Sequence, residues 1–198
     1  MLGLTKSEPQ ERTDRRRWLT AIPLSLGGAA SVYWLLGKSF GDKAEKESAK
    51  EVTVIRFDDA GQKLGPVVAR KVFRSDAQWR EGLSAQQFFS TRRGTTDTPF
   101  TGTYYQLHDA GLYRCICCAT ALFGSQTKFD SSTGWPAFWA PLAEQNIATK
   151  VDRSLPETRT EVLCRLCDAH LGHVFDDGPP PTGLRYCINE SALRFVQG

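Results

Sequence analysis

Two identical cysteine knuckles constrain this chain more than any other feature. Cys115 and Cys118 form one Cys-x-x-Cys, and Cys164 and Cys167 form a second, with 45 residues between the two. A two-residue spacer lets both thiolates of a knuckle converge on one tetrahedral ion, and two knuckles complete a closed structural zinc site. Such a long interval would pin distant loops together instead of organising one small finger. Four thiolates and Zn²⁺ sum to two negative charges, and Arg114 and Arg165, each beside a ligand, are placed to offset them. The alternatives are two disulfides between the pairs, which suits an oxidising compartment, and one redox-active pair. The latter normally sits in a thioredoxin-like βαβ context, which this sequence lacks. Cys117 is near enough to be a ligand. The symmetry of the spacing favours Cys115 with Cys118, and Cys117 then reads as a small apolar filler.

The rest of the 198 residues reads as one globular domain with an appendage, because 40% hydrophobic and 24% charged residues fit neither a disordered nor a polybasic chain. The formal charge of +3 is unevenly placed. Residues 1–41 carry six basic against three acidic side chains, so residues 42–198 balance at 19 of each. A neutral body argues against recognition of a phosphate backbone, and no nucleic-acid partner is expected.

Residues 1–40 join a basic start to an apolar run. Arg15, Arg16 and Arg17 precede Trp18 and Leu19, and no charge interrupts the 20 residues from Trp18 to Gly37. Arg15 and Arg16, one intervening residue and then Trp18 and Leu19 look like a twin-arginine export signal, a route that carries folded, metal-loaded proteins. About 20 apolar residues also span a bilayer. No convincing small-x-small cleavage site follows Leu36, so a membrane tether through residues 18–37 is the second form of the same expectation. A buried amphipathic helix is disfavoured, since the run has no polar stripe at helical spacing. Either way the body is expected to be extracytoplasmic, periplasmic or anchored facing outward, in a bacterium. Residues 41–51 read as a charged linker.

Within residues 52–74, Val52 to Phe57 and Val67 to Phe73 are β-branched or aromatic runs separated by Asp58, Asp59, Ala60 and Gly61, the pattern of a hairpin. Residues 75–198 form the main domain. Its first part opens with two short helices, each marked by a capping box: Ser75 with Gln78, and Ser84 with Gln87. From Gly94 onward short apolar stretches alternate with turn residues and no βαβ rhythm develops, so several short strands and no parallel sheet are predicted.

Cys187 has no cysteine neighbour. If Leu184 to Asn189 is a strand, Arg185, Cys187 and Asn189 share one face while Leu184, Tyr186 and Ile188 point inward. The Arg185 guanidinium would favour the thiolate, and Asn189 adds a neutral hydrogen-bonding group. His170 and His173, three residues apart, would face opposite sides of a regular strand. Their joint action requires a bend, which Gly172 permits, and a histidine near the operating pH protonates a leaving oxygen. Trp135, Pro136, Phe138 and Trp139 follow Gly134. They suit a core, and also an aromatic slot for a polarizable ligand such as a methyl on sulfur.

From about Trp79 to the end, the chain resembles the methionine-R-sulfoxide reductases of the B type. The resemblance is carried by Gly111-Leu-Tyr-Arg-Cys115 with Cys118, Leu122-Phe-Gly-Ser, Lys128-Phe-Asp-Ser-Ser-Thr-Gly-Trp-Pro-Ala-Phe138, Cys164 with Cys167, His170-Leu-Gly-His-Val-Phe-Asp-Asp-Gly-Pro179, and Thr182-Gly-Leu-Arg-Tyr-Cys-Ile-Asn189. These appear in family order. The resemblance implies a mainly β fold of two small antiparallel sheets in a barrel-like core with short peripheral helices. It implies structural zinc at Cys115, Cys118, Cys164 and Cys167, Cys187 as nucleophile, Trp135 shaping the methyl pocket, and His170, His173, Arg185 and Asn189 around the sulfoxide. The implied partners are oxidised methionine, free or in proteins, and a thioredoxin-like reductant. Many members carry a resolving cysteine in the loop before Gly-Trp-Pro, where this chain has Thr133. Cys117 alone is left as an internal resolver, so direct reduction by an external thiol is expected.

Overall fold

The computed structural model describes residues 50–198. The export or tether segment and most of the charged linker lie outside the described residues. Among the described residues no helix is long and apolar enough to cross a membrane.

The hairpin forms, as β1 (Glu51–Phe57) and β2 (Lys63–Arg70). Its second strand is displaced from the Val67–Phe73 run expected from composition. Pro66 is accommodated because a two-stranded ribbon has only edge strands, and the strand ends at Arg70 because Val72 N–H turns away to the carbonyl of Leu166 at 2.8 Å. Both capping boxes are present, opening α1 (Asp76–Gly82) at Ser75 and α2 (Ala85–Arg93) at Ser84. In each, the serine hydroxyl and the glutamine three residues on satisfy amide groups that the first helical turn leaves unpaired. Gly94, at φ +71°, ends α2 in the left-handed conformation that glycine adopts without steric cost.

Nine further strands follow, every pair antiparallel. β3 (Gly111–Cys115), β4 (Ala121–Gly124) and β11 (Leu193–Gln197) make a three-stranded sheet in the order β11-β3-β4. β5 (Lys128–Phe129), β6 (Ala137–Phe138), β7 (Ile147–Asp152), β8 (Arg159–Cys164), β9 (His170–Phe175) and β10 (Arg185–Ile188) make a six-stranded sheet in the order β5-β6-β10-β9-β8-β7. The two sheets share an aromatic core. Phe123 of β4 stacks on Phe138 of β6 at 4.5 Å between centroids, and Tyr113 of β3 meets Phe138 edge-on at 4.9 Å. β10 is thereby central, between β6 and β9.

The hairpin is strapped to this body at both knuckles. Asn146, wholly buried, accepts from Ile55 N–H at 2.7 Å and donates to the carbonyls of Ile55 and Ala121 at 2.9 and 2.7 Å. Arg114, adjacent to Cys115, donates to the carbonyls of Phe57 and Asp58 and to the Asp59 carboxylate. Lys71 pairs with Asp168, the residue after Cys167.

Candidate active site and metal centre

The two knuckles fold alike. In each, the amide one residue past the second cysteine donates to the carbonyl of the first: Ala119 to Cys115 at 2.8 Å, and Asp168 to Cys164 at 2.9 Å. Ala119 and Asp168 both adopt positive φ, at 60° and 53°, which turns the chain sharply and leaves both thiols of each knuckle facing inward. The four sulfurs of Cys115, Cys118, Cys164 and Cys167 lie within 4.8 Å of one another, with Cys115 to Cys167 at 3.7 Å and Cys118 to Cys164 at 3.5 Å. Zinc–sulfur bonds of ~2.3 Å in a tetrahedron require sulfur separations of about 3.8 Å, whereas a disulfide requires ~2.05 Å. The arrangement therefore fits a metal ion and not a pair of disulfides. Cys117 stands outside the set, half-buried.

The expected cationic offset is arranged differently. Arg114 commits its guanidinium to the hairpin and to the Ala119 carbonyl, and Arg165 donates its Nε–H to the carbonyl of Ile147. The cation on the second knuckle is Arg92 of α2, which donates to the carbonyls of Cys167 and Asp168 at 2.9 and 3.1 Å.

Cys187 lies in the middle of β10, in register with Ala137 of β6 on one side and His173 of β9 on the other. Tyr186 and Ile188 are buried in the core, so Arg185 and Cys187 face the opposite side. Burial pushes the Cys187 thiol above its ordinary pKa, against the opposing pull of the Thr133 hydroxyl at 3.9 Å and the Arg185 charge. Arg185 favours the thiolate, as its place two residues away implied, but its pull is outweighed by two features absent from the local sequence pattern: that burial, and Asp177. The Asp177 carboxylate takes both Nε and Nη2 of Arg185 at 2.8 Å, and its negative charge raises the Cys187 pKa further.

The histidines are brought to one side by a bulge. β8 pairs Val162 with Gly172 but Leu163 with His170, which leaves Leu171 as an extra residue in β9. The rings of His170 and His173 consequently meet edge-on at 5.4 Å. Gly172, at φ +152°, lies so close to β10 that a Cβ there would stand 2.1 Å from the Cys187 carbonyl oxygen. Each imidazole has its own carboxylate. His170 Nδ1 is 2.8 Å from Glu161, and His173 Nε2 is 2.8 Å from Asp152 Oδ2, which also accepts from Arg159 Nη2 at 2.7 Å. Burial lowers the His173 pKa against the opposing bond from Asp152, and Arg159 and His170 lower it further. The Ser154 hydroxyl and amide, then His173, hold the Asp152 carboxyl well below the carboxylate range.

Cys187, His173 and Asn189 line one cavity of about 120 Å³, together with Trp135, Phe175, Thr96 and Arg159. Trp135 is held by its indole N–H, which donates to the Asp97 carbonyl at 2.9 Å. Asn189, buried, uses its side chain on the same loop, accepting from Asp97 N–H at 2.9 Å and donating to the Thr95 carbonyl. His170 does not line this cavity and stands behind His173.

Comparison with known proteins matches the SelR domain to residues 83–197 of this chain. The chain belongs to the SelR domain family. It is 52% identical over 128 residues to peptide methionine sulfoxide reductase MsrB of Herminiimonas arsenicoxydans, covering 65% of this chain and 93% of that protein. It is 54% identical over 125 residues to the MsrB of Hahella chejuensis, covering 63% and 90%. To the chloroplastic peptide methionine sulfoxide reductase B1 of Oryza sativa it is 52% identical over 121 residues, covering 61% and 56%. The SelR match starts at residue 83 and so leaves out the hairpin.

In this SelR chain the residues that sequence reasoning missed are the carboxylates and the arginine behind the histidines: Asp152, Glu161 and Arg159. The one local signal was the period-2 placement of Arg159 and Glu161 just ahead of the second knuckle, which puts both on one face of β8. Asp177, eight residues before Arg185, carried no signal that distinguished it from Asp176.

Proposed function

We propose that this chain reduces methionine-R-sulfoxide, free or in proteins, to methionine with Cys187 as the nucleophile. The observation that carries the reading is a half-buried thiol sharing one small cavity with an imidazole and an indole face, in a chain of this family. Trp135 and Phe175 offer the apolar walls a methyl on sulfur requires, and Asn189 holds the Thr95–Asp97 segment to which the Trp135 indole is anchored.

The electrons balance between the thiol and the sulfoxide. The Cys187 thiolate attacks the electrophilic sulfoxide sulfur, His173 delivers a proton to the oxygen, and the oxygen passes to the cysteine sulfur. Methionine leaves, and Cys187 remains as a sulfenic acid. One external thiol displaces the hydroxyl as water, forming a mixed disulfide, and a second thiol, on the same thioredoxin-like reductant or another molecule, releases Cys187. Thr133 stands 3.9 Å from Cys187 and cannot form a disulfide, which supports an external reductant. Cys115, Cys118, Cys164 and Cys167 would hold a structural zinc ion that ties the knuckle loops together and, with four protein ligands, leaves no open position for chemistry.

Residues 1–40 export the body or tether it outside the cytoplasm, a reading that rests on Arg15, Arg16 and the uncharged run after them. Intact-mass measurement and membrane fractionation of the native protein test it, and an uncleaved cytoplasmic product would oppose it. For the catalytic reading, Cys187→Ser is expected to keep the fold and the zinc content but abolish turnover of methionine-R-sulfoxide. Retained activity in that variant would sink the assignment.

A further inference from the structure

Arg159 has no role in the reaction as described above, yet it sits at the catalytic cavity and shares an acceptor with the catalytic imidazole. Its Nη2 and the Nε2 of His173 converge on one oxygen of Asp152, at 2.7 and 2.8 Å. Its Nε–H is buried with no protein acceptor. Resting on the reduction reading, we propose that Arg159 is a positioning residue that, through Asp152, orients His173 and keeps it a ready proton donor to the sulfoxide oxygen.

One carboxylate here divides its charge between two partners. With Nε2 of His173 committed to Asp152, the imidazole is fixed in rotation and its other ring nitrogen, Nδ1, is the one left for a proton transfer. A carboxylate bound to His173 alone would stabilise the imidazolium and hold its proton back. Arg159 takes part of that charge and adds a positive field of its own, so the imidazolium parts with its proton more readily. The other groups around His173 do not replace it. Glu161, across on β8, is engaged by His170 and Lys150. Cys187, across on β10, gains negative charge only as thiolate, and Arg185 is neutralised by Asp177. His170, on the same strand, lowers the proton affinity of His173 in the same direction as Arg159.

The test is the pH dependence of a single turnover, without reductant, reading methionine formed from methionine-R-sulfoxide. With the Cys187 pKa held up and that of His173 held down, the rate climbs until the His173 pKa is passed and falls only beyond that of Cys187, so the end of the rising limb reports His173 and the falling limb reports Cys187. Arg159→Gln is expected to slow the step on the order of tenfold and to move the end of the rising limb upward by about one pH unit. Arg159→Lys, which keeps the charge, is expected to hold the limb near the wild-type position with an intermediate rate. Asp152→Asn is expected to move the limb the opposite way, because Asp152 raises the His173 pKa. Should Arg159→Gln fail to fold, the lysine and asparagine variants decide. A uniform loss at every pH, or limbs that do not move in opposite directions, would overturn the proposal. If the wild-type protein forms no methionine at all, it is the reduction reading that fails.

Discussion

Gly172 is the point at which the fold and the chemistry are most tightly joined, and Gly172→Ala tests the join. A Cβ at this position would stand 2.1 Å from the Cys187 carbonyl oxygen and 3.0 Å from the Ile188 Cα. Carbon and oxygen do not approach closer than ~3.3 Å without strain, so β10 has to recede by about 1 Å or β9 has to give up its positive φ. Neither can be relieved by a side-chain rotation, because the opposing atoms are backbone. Overpacking and the strained dihedral together cost about 3 kcal/mol, which for a domain of this size lowers Tm by roughly 6–12 °C. The kinetic effect is larger than that loss alone implies. A displacement of ~1 Å at a nucleophile costs on the order of 10²-fold in rate, and the displaced residue is Cys187 itself. Calorimetry and single-turnover methionine formation, run below the lowered Tm, separate the two effects. Gly82→Ala is the control, since Gly82 closes α1 at an ordinary φ, with nothing within 4 Å of the position an added Cβ would take. It is expected to change stability by less than ~1 kcal/mol and the rate not at all. Wild-type kinetics and Tm in Gly172→Ala would refute the close approach of the two strands.

Three further perturbations follow from the same geometry. Asp177→Asn removes a negative charge that raises the Cys187 pKa and frees Arg185 to face the thiol, so alkylation of Cys187 by iodoacetamide is expected to become faster near neutral pH and its profile to move to lower pH; an unchanged profile would contradict this. Thr133→Cys places a thiol within reach of Cys187, from an oxygen now 3.9 Å away, and peptide mapping after one turnover is expected to find a disulfide between the two positions, with a persistent sulfenic acid opposing it. Asn146→Ala removes three buried hydrogen bonds, from the Ile55 amide and to the Ile55 and Ala121 carbonyls, a loss of about 3 kcal/mol. It is also expected to speed zinc release to a chelator, because the strap across the knuckles is loosened; wild-type release would show that the hairpin does not guard the metal.

What could be read from the sequence was local. The capping boxes at Ser75 and Ser84 are three-residue patterns, the strand holding Arg185 and Cys187 shows its period directly, and the two knuckles are short enough to carry their geometry in their spacing. The need for a bend at Gly172 was also visible, because two histidines three apart cannot share a face of a regular strand. The partners of those histidines were not visible. Asp152 and Arg159 meet His173 only through the register of β7, β8 and β9 and the bulge at Leu171, and a register across loops leaves no local mark. The proton affinity of Cys187 depends also on burial by strands distant in sequence, a contribution that opposes the neighbouring arginine and that local sequence does not show. The hairpin could be recognised as a hairpin, but its attachment to both knuckles through Asn146, Arg114 and Lys71 is a property of the assembled body.

On the proposed mechanism one thiol, Cys187, reduces one epimer of methionine sulfoxide. The most direct measurement is a single turnover of the zinc-loaded protein, without reductant, on each epimer separately. The expected result is about one methionine per protein from the R epimer, a sulfenic acid on Cys187 by mass spectrometry, and no methionine from the S epimer. Methionine from the S epimer, or an oxidised cysteine other than Cys187, would contradict that mechanism.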